Sequence, residues 1–344
     1  CDETAASIVQ EKGDGTAKIL SNIVSSQVEE HKEFGGVVPE IAARAHIEKI
    51  EFIVKKAIKD SNCNLNEIDG VAATAGPGLI VCLGVGLNFG KAIAGSLKKP
   101  FIAVNHLEGH ALSPKINNKI NFPYLLLLIS GGHTQFLEVN GVNNYKRLGT
   151  TIDDALGEAF DKTAKLLGID FPGGPLIEQW AKKGDMNYFK LPKPIFKRGG
   201  CNMSFAGLKT AVLKISKQLK TKKEKYHLAA SFQKTINEIL YEKSKVAMTV
   251  FSNDKKDKNN TFVIAGGVAA NISIRENLTK LSKKNNFAPI FPPINLCSDN
   301  AAMIAWTGIE RYKINLINNL NFPSKARWPL DQTAPFLKGA GLRF

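Results

Sequence analysis

Residues 105–111, NHLEGHA, place two histidines four apart with a glutamate between them. At that spacing His106 and His110 share one face of a helix and can grip a single metal ion. The zinc-protease pattern H-E-x-x-H sets its glutamate directly after the first histidine. Glu108 comes one residue later and points elsewhere on the helix. This weakens a protease reading and leaves a metal reading open. One buried and one surface histidine would explain the spacing equally well. A metal also needs a third ligand, and Asp299 in CSDNAAM can supply it. Its place at the start of a helix suits an N-cap too, a role open to Ser298 as well. Two histidines and one carboxylate make an open-sided site that fits iron(II) or zinc(II).

Four further segments have residue types that meet nucleotides. LLISGGHTQ sets Gly131 and Gly132 after an apolar run, where a phosphate can approach backbone amides or a hairpin simply turns. His133 beside them either faces a ligand or ends the strand. Asp154, Glu158 and Asp161 follow i, i+4, i+7 in TIDDALGEAFDKTAKLLG. Such an acidic stripe is solvated, or it accepts ribose hydroxyls. VIAGGVAAN reads as a strand, two glycines and a helix start, favourable for an anion but not the G-x-G-x-x-G of dinucleotide folds. Residues 209–225 hold seven lysines and one glutamate, which make a phosphate-backbone contact or a solvated face.

Positioning these groups takes an alternation of strands and helices. Residues 42–60 place Ala43, Ile47, Ile50, Val54, Ala57 and Ile58 on one helical face. GVAATA reads as a strand, Gly76-Pro77-Gly78 opens a helix to about Leu97, and FIAV is a strand feeding the histidine helix. Residues 124–139 read as two strands joined at Gly131-Gly132. Residues 151–168 read as one amphipathic helix, with Ile152, Ala155, Leu156, Ala159, Phe160, Thr163 and Leu167 on its apolar face. Then come a long helix near 226–250, the strand TFVIA, a Gly266-Gly267 turn and a helix from about Ala270. A last helix lies in LCSDNAAMIAWTGIERYK, and Lys255–Asn260 read as a solvated loop. This alternation is α/β.

The 344 residues are 44% hydrophobic, enough for a sizeable core in two lobes rather than one. No run of roughly eighteen apolar residues appears, so no membrane span is expected. No signal peptide or basic presequence is visible, and the start at Cys1 reads as trimmed. Cys1, Cys63, Cys82, Cys201 and Cys297 are scattered and form no CxxC pair. They predict neither a disulfide framework nor a cysteine zinc site, and suit a reducing cytosol or organelle matrix. The net charge of +15 points to a polyanionic partner, or to lysine drift in an AT-rich genome.

In order along the chain stand CDETAASI, FGGVVPEIAARAH, TAGPGL, NHLEGHALSP, LLISGGHTQ, TIDDALGEAFDKTAKLLG, FPGGP, MSFAGLKTAV, IAGGVAAN and LCSDNAAMIAW. Together they make the chain resemble the TsaD family, also known as Gcp, in its bacterial form and over nearly the whole length. The resemblance implies the actin/Hsp70/sugar-kinase (ASKHA) fold, two α/β lobes around a nucleotide cleft. Residues 1–124 plus about 312–344 would form the first lobe and 125–311 the second. It implies a transferase that completes threonylcarbamoyladenosine beside the anticodon of tRNAs reading ANN codons. Matching motifs imply His106, His110 and Asp299 as ligands of one divalent metal, iron(II) or else zinc(II). Leu128, Ile129, Ser130, Gly131 and Gly132 would contact threonylcarbamoyl-AMP. Asp161 and Gly174 would contact its ribose and nucleoside, and Asn271 the same ligand. Asp299 and Asp161 thereby pass from cap and solvated face to ligand roles. The general base stays unassigned, with His133 and Glu108 as candidates.

The implied partners are tRNA, threonylcarbamoyl-AMP and TsaB-like and TsaE-like subunits, with no membrane. The implied compartment is the cytoplasm, or an organelle matrix in a eukaryote. The family opens with a short strand ending in ETS before CDET, so the first lobe's sheet is expected to lack that strand. A metalloprotease, a small-molecule kinase of the same superfold and a non-catalytic scaffold are the competing readings. The spacing of Glu108 argues against the first, the metal site against the second, and the retained His106, His110 and Asp299 against the third.

Overall fold

Continuous apolar runs build the strands that carry the candidate residues, and one-sided helices cover them. The computed structural model describes residues 2–34, 36–170, 172–253 and 260–335. They divide into two compact α/β units. Among the described residues the first comprises 2–120, 141–144 and 299–332; the second comprises 121–140, 145–298 and 333–335.

In the first unit β1 (Glu3–Lys12) and β2 (Thr16–Ser26) pair antiparallel. A single turn, α1 (Val28–His31), precedes α2 (Pro39–Ser61), whose first position suits proline because its missing N–H needs no partner there. β3 (Val71–Gly76) leads through α3 (Ile80–Leu97) to its parallel partner β4 (Phe101–Asn105). β4 is buried throughout and runs straight into α4 (His106–Leu112). The strands of this unit form two separate ladders, β1–β2 and β3–β4.

The second unit begins with β5 (Tyr124–Ile129), β6 (Thr134–Gly141) and β7 (Asn144–Thr150). Next come α5 (Leu156–Leu167), α6 (Gly173–Ala181), α7 (Ala206–Ser216) and α8 (Lys222–Asn253). β8 (Thr261–Ala265), α9 (Ile272–Lys284) and β9 (Ala288–Ile290) follow. The sheet order is β7-β6-β5-β8-β9, with β5–β6 antiparallel and β5–β8 parallel. Every residue of β5, YLLLLI, is fully buried, as a strand covered on both faces must be. On one face Leu125, Leu127 and Ile129 join Phe160, Phe232 and Leu278 in one core. The chain then returns to the first unit as α10 (Ala301–Lys313).

α10 packs on β1, β3, β4 and α4, so the unit boundary precedes Asp299 instead of falling near residue 311. The first boundary follows Ile120, not residue 124. Residues 336–344, expected in the first lobe, and 255–259 of the expected loop lie outside the described residues.

The helix expected over 151–168 starts only at Leu156. Before it, Ile152 N–H donates to Met203 O, and the Asp153 carboxylate accepts from the Phe205 and Ala206 amides and the Ser204 hydroxyl. These bonds hold residues 151–155 out of helical geometry. Asp154 therefore leaves the acidic stripe; it is 4% exposed and sits between Lys162 and Lys209.

α2 turns Ala42, Ala45, His46, Ile53 and Ala57 inward, about one residue away from the expected face, and leaves Ile47 63% exposed. α3 is apolar and long enough, at 18 residues, to meet the criterion for a membrane span, where none was expected. It packs on β3 and α2, burying Cys82, Leu83, Leu87 and Ala94.

Candidate active site

α4 begins where β4 ends, and Asn105 fixes that junction. Its Oδ1 accepts the Leu107 N–H at 2.9 Å, and its Nδ2 donates to Trp328 O at 2.8 Å. One helical turn then sets His106 and His110 on a common face, their rings edge-on at 4.8 Å. Asp299 comes from just before α10. The N-cap role expected of it belongs to Asn300, whose Oδ1 accepts the Met303 N–H at 3.0 Å. Asp299 faces the histidines instead, with Oδ2 3.4 Å from His106 Nε2 and Oδ1 3.1 Å from His110 Nε2.

Burial pushes the His110 pKa down, so the ring is held neutral, the form a metal ligand needs. Burial alone would raise the Asp299 carboxyl; the two imidazoles outweigh it and hold that carboxyl well below the usual range. His110 Nδ1 is buried without a hydrogen-bond partner. Three ligand atoms within 4.8 Å, two imidazole nitrogens and one carboxylate oxygen, are the donor set of a divalent-ion site, and these residues fit one.

Glu108 does not join them. It is 1% exposed, and its oxygens meet Arg311 Nη1 at 2.6 Å and the Asn143 N–H at 2.7 Å. A carboxylate committed to a buried ion pair is no general base for the metal site. Glu3, by contrast, has no role in the motifs above, yet it lines, with His106 and Asp299, a cavity of about 1160 Å³ in the first unit. Burial, reinforced by the Asp299 charge, pushes its carboxyl up to about 8. The acidic start CDET is the only signal for it in the sequence.

In the second unit β5 and β8 are parallel, with Leu128 opposite Ala265. The Gly131-Gly132 and Gly266-Gly267 turns therefore leave the sheet side by side at the carboxyl ends of its strands, where open α/β sheets bind ligands. Gly266 has φ +98°, and a Cβ there would lie 2.4 Å from Ile129 O, so only glycine serves. Leu128 and Ile129 are fully buried, so they hold the turn and reach a ligand only through main chain.

The turn itself caps α5, which has no side-chain N-cap of its own. Leu156 N–H donates to Thr134 Oγ1 at 2.8 Å. Gly157 and Glu158 N–H donate to Ser130 O and Gly131 O, at 3.2 Å each. The Ser130 and Gly131 carbonyls are thereby committed to the helix, while Gly131 and Gly132 are exposed, so their amides are the groups of the turn that could meet an anion. Gly157 is what permits this approach, since a Cβ there would lie 2.7 Å from Gly131 Cα. Neither Gly157 nor Thr134 was assigned a role from sequence.

Asp161 Oδ1 accepts the Gly173 N–H at 2.9 Å, beside half-buried Gly174. Asn271 caps α9 through Oδ1, and its Nδ2 donates to Gln233 Oε1 at 2.9 Å. A second amide hydrogen remains for a ligand. His133 is half-buried and closes the turn through its carbonyl, which accepts the Ser130 N–H at 2.8 Å. The lysine-rich 209–225 stretch is not one helix face. Lys209 pairs with Asp154 and Lys225 donates to Leu167 O, while Lys214, Lys217, Lys220, Lys222 and Lys223 are exposed.

Comparison with known proteins bears on this arrangement. A family model described as TsaD, tRNA N6-adenosine threonylcarbamoyltransferase, matches residues 18–306. A protein of that name from Pelagibacter ubique is 69% identical over 343 residues, which are 100% of this chain and 96% of that protein. Those from Rhodospirillum rubrum and Brucella suis are 49% and 50% identical over 99% and 100% of this chain, and over 95% and 96% of theirs. Among solved structures, full-length HypF in its phosphate- and nucleotide-bound form aligns with a TM-score of 0.55 at 14% identity, covering 91% of this chain and 47% of that one. HypF of T. kodakarensis aligns at 0.54, also at 14% identity, over 77% of this chain and 44% of its own. At that identity the likeness concerns fold alone, and it agrees with the two-lobed ASKHA class.

Proposed function

The chain belongs to the tRNA N6-adenosine threonylcarbamoyltransferase family, and on that premise we propose how its own residues serve the transfer. The reaction attaches a threonylcarbamoyl group to the exocyclic amine of a tRNA adenosine. In our reading the donor is threonylcarbamoyl-AMP and the acceptor is the adenosine beside the anticodon of tRNAs reading ANN codons. The amine nitrogen forms the new bond to the carbamoyl carbon, the carbon–oxygen bond to the phosphate breaks, and AMP leaves with that electron pair. The amine proton passes to a base that we leave unassigned. No protein nucleophile is needed.

The Gly131 and Gly132 amides meet the adenylate phosphate, and they gain strength by being fixed before the charge moves. Asp161 accepts from the ribose, Gly174 packs beside the nucleoside, and Asn271 donates its remaining amide hydrogen. His106, His110 and Asp299 hold a divalent ion, iron(II) in our reading with zinc(II) as the alternative. When bound, such an ion supplies a Lewis acid for a carbonyl or carboxylate oxygen. The exposed lysines of 209–225 contact the tRNA backbone. TsaB-like and TsaE-like subunits complete the enzyme, and exposed Phe52 and Ile47 on α2 and Val81 and Ile80 on α3 support such a partner. The reaction belongs in the cytoplasm, or in an organelle matrix in a eukaryote.

The observation that carries the metal role is the meeting of Asp299 with two histidines 189 residues or more away in the chain. The double variant His106→Ala/His110→Ala should purify folded, without metal by elemental analysis, and without transfer to unmodified tRNA in the presence of partner subunits. Full transfer by that variant would sink the metal role.

A further inference from the structure

Residues 180–198, WAKKGDMNYFKLPKPIFKR, run from the last two residues of α6 into an irregular strap in the second unit. They hold six cations, Lys182, Lys183, Lys190, Lys193, Lys197 and Arg198, against one carboxylate, Asp185. Among the described residues Lys182, Lys190, Lys197 and Arg198 make no ion pair, and all four are exposed. Lys193 alone is matched, by Glu238 at 2.6 Å.

The strap is held firmly. Asp185 N–H donates to His227 Nδ1 at 2.7 Å, Phe189 N–H to Ser231 Oγ at 3.1 Å, and Lys234 Nζ to Asn187 Oδ1 at 2.5 Å. A Cβ on Gly184 would strike Tyr226 O at 2.0 Å, so strap and α8 touch backbone to backbone. At its centre Tyr188 lies flat on His227, with ring centroids 4.5 Å apart and planes 8° from parallel. Tyr188 is still 55% exposed, with the Phe189 ring tilted against it at 4.8 Å between centroids. Met186 beside it is equally exposed.

A fixed, partly exposed aromatic ring on the same strap as exposed cations without ion-pair partners is the pattern that takes unpaired bases and their phosphates. A double helix would offer the ring no base face, and an acidic peptide would leave it without use. The strap also walls a cavity of about 580 Å³ that reaches Gln233, the residue holding Asn271. It therefore adjoins the proposed adenylate contacts within the same unit.

We propose that this strap is a docking surface for single-stranded RNA, with Tyr188 as the stacking platform. Resting on the reading of tRNA as acceptor, it receives the unpaired anticodon loop. The cations hold the loop's phosphates and the tyrosine holds one of its bases.

The test is fluorescence anisotropy of a labelled anticodon stem-loop RNA on the full chain across a sodium chloride series. Lys190→Ala/Lys197→Ala/Arg198→Ala should flatten the slope of log affinity against log salt by about two, from roughly 0.7 per lost phosphate contact. Tyr188→Ala should weaken binding about tenfold with the slope unchanged, and Tyr188→Phe should restore it. All four positions are exposed, so the variants should fold, and circular dichroism checks this. Binding within twofold of the unaltered chain for both the triple variant and Tyr188→Ala overturns the proposal. So does equal competition by a duplex RNA of the same length. Strap-dependent binding by a chain that transfers nothing to tRNA would uphold the surface and defeat the transferase reading, so the two failures are distinct.

Discussion

Replacing Gly157 with alanine tests whether α5 holds the glycine turn in its working shape. The added Cβ would lie 2.7 Å from Gly131 Cα, where ordinary contact begins at 3.4 Å, so turn and helix must part by about 0.7 Å. The Gly157–Ser130 and Glu158–Gly131 hydrogen bonds, at 3.2 Å, would stretch to about 3.9 Å, beyond useful reach. Two such bonds contribute about 2 kcal/mol. In a unit of this size that corresponds to roughly 4–8 °C of melting temperature. The effect on chemistry is larger, because misplacing a positioning group by close to 1 Å costs on the order of 100-fold in rate. The assay is the initial rate of threonylcarbamoyl transfer with partner subunits, beside calorimetric binding of AMP and of adenosine. AMP should weaken about tenfold and adenosine hardly at all, since only AMP presents a phosphate. Unchanged AMP affinity with full transfer would refute the mould; equal losses for AMP and adenosine would mean a general collapse of the unit.

Two stability predictions concern the first unit. His46 bonds Thr4 Oγ1 and Gln27 Nε2, and burial pushes its pKa down to about 4. The folded value lies below the unfolded one near 6.5, so its contribution is full above pH 6.5 and lost as the pH falls towards 4, by at most about 3 kcal/mol. Urea midpoints should drop across that window and drop less in His46→Gln; identical profiles would contradict the assignment. Glu108→Gln leaves the Arg311 guanidinium buried without its counter-charge and should cost about 3–5 kcal/mol by urea unfolding. Transfer per folded molecule should persist, and a variant that is stable yet inactive would return Glu108 to the chemistry.

Local periodicity and glycine placement carried much of this fold in plain view. The run YLLLLI announces a strand covered on both faces, and it is fully buried. Four-residue spacing put His106 and His110 on one face before any tertiary contact was known, because helix geometry alone sets it. Other features belong to the folded chain. Asp299 and Asn300 both suit an N-cap, and only the packing of α10 gives the cap to Asn300 and turns Asp299 to the histidines. α5 starts at Leu156 because Asp153 is bound to the α7 amides some fifty residues on, a partner no local pattern reveals. Glu108 looked free for chemistry until Arg311 closed on it from across the chain. Residue type and spacing therefore determined which side chains could act. Burial and pairing between distant segments decided which of them were left to do so, because a buried charge must be matched by whatever neighbour the fold delivers.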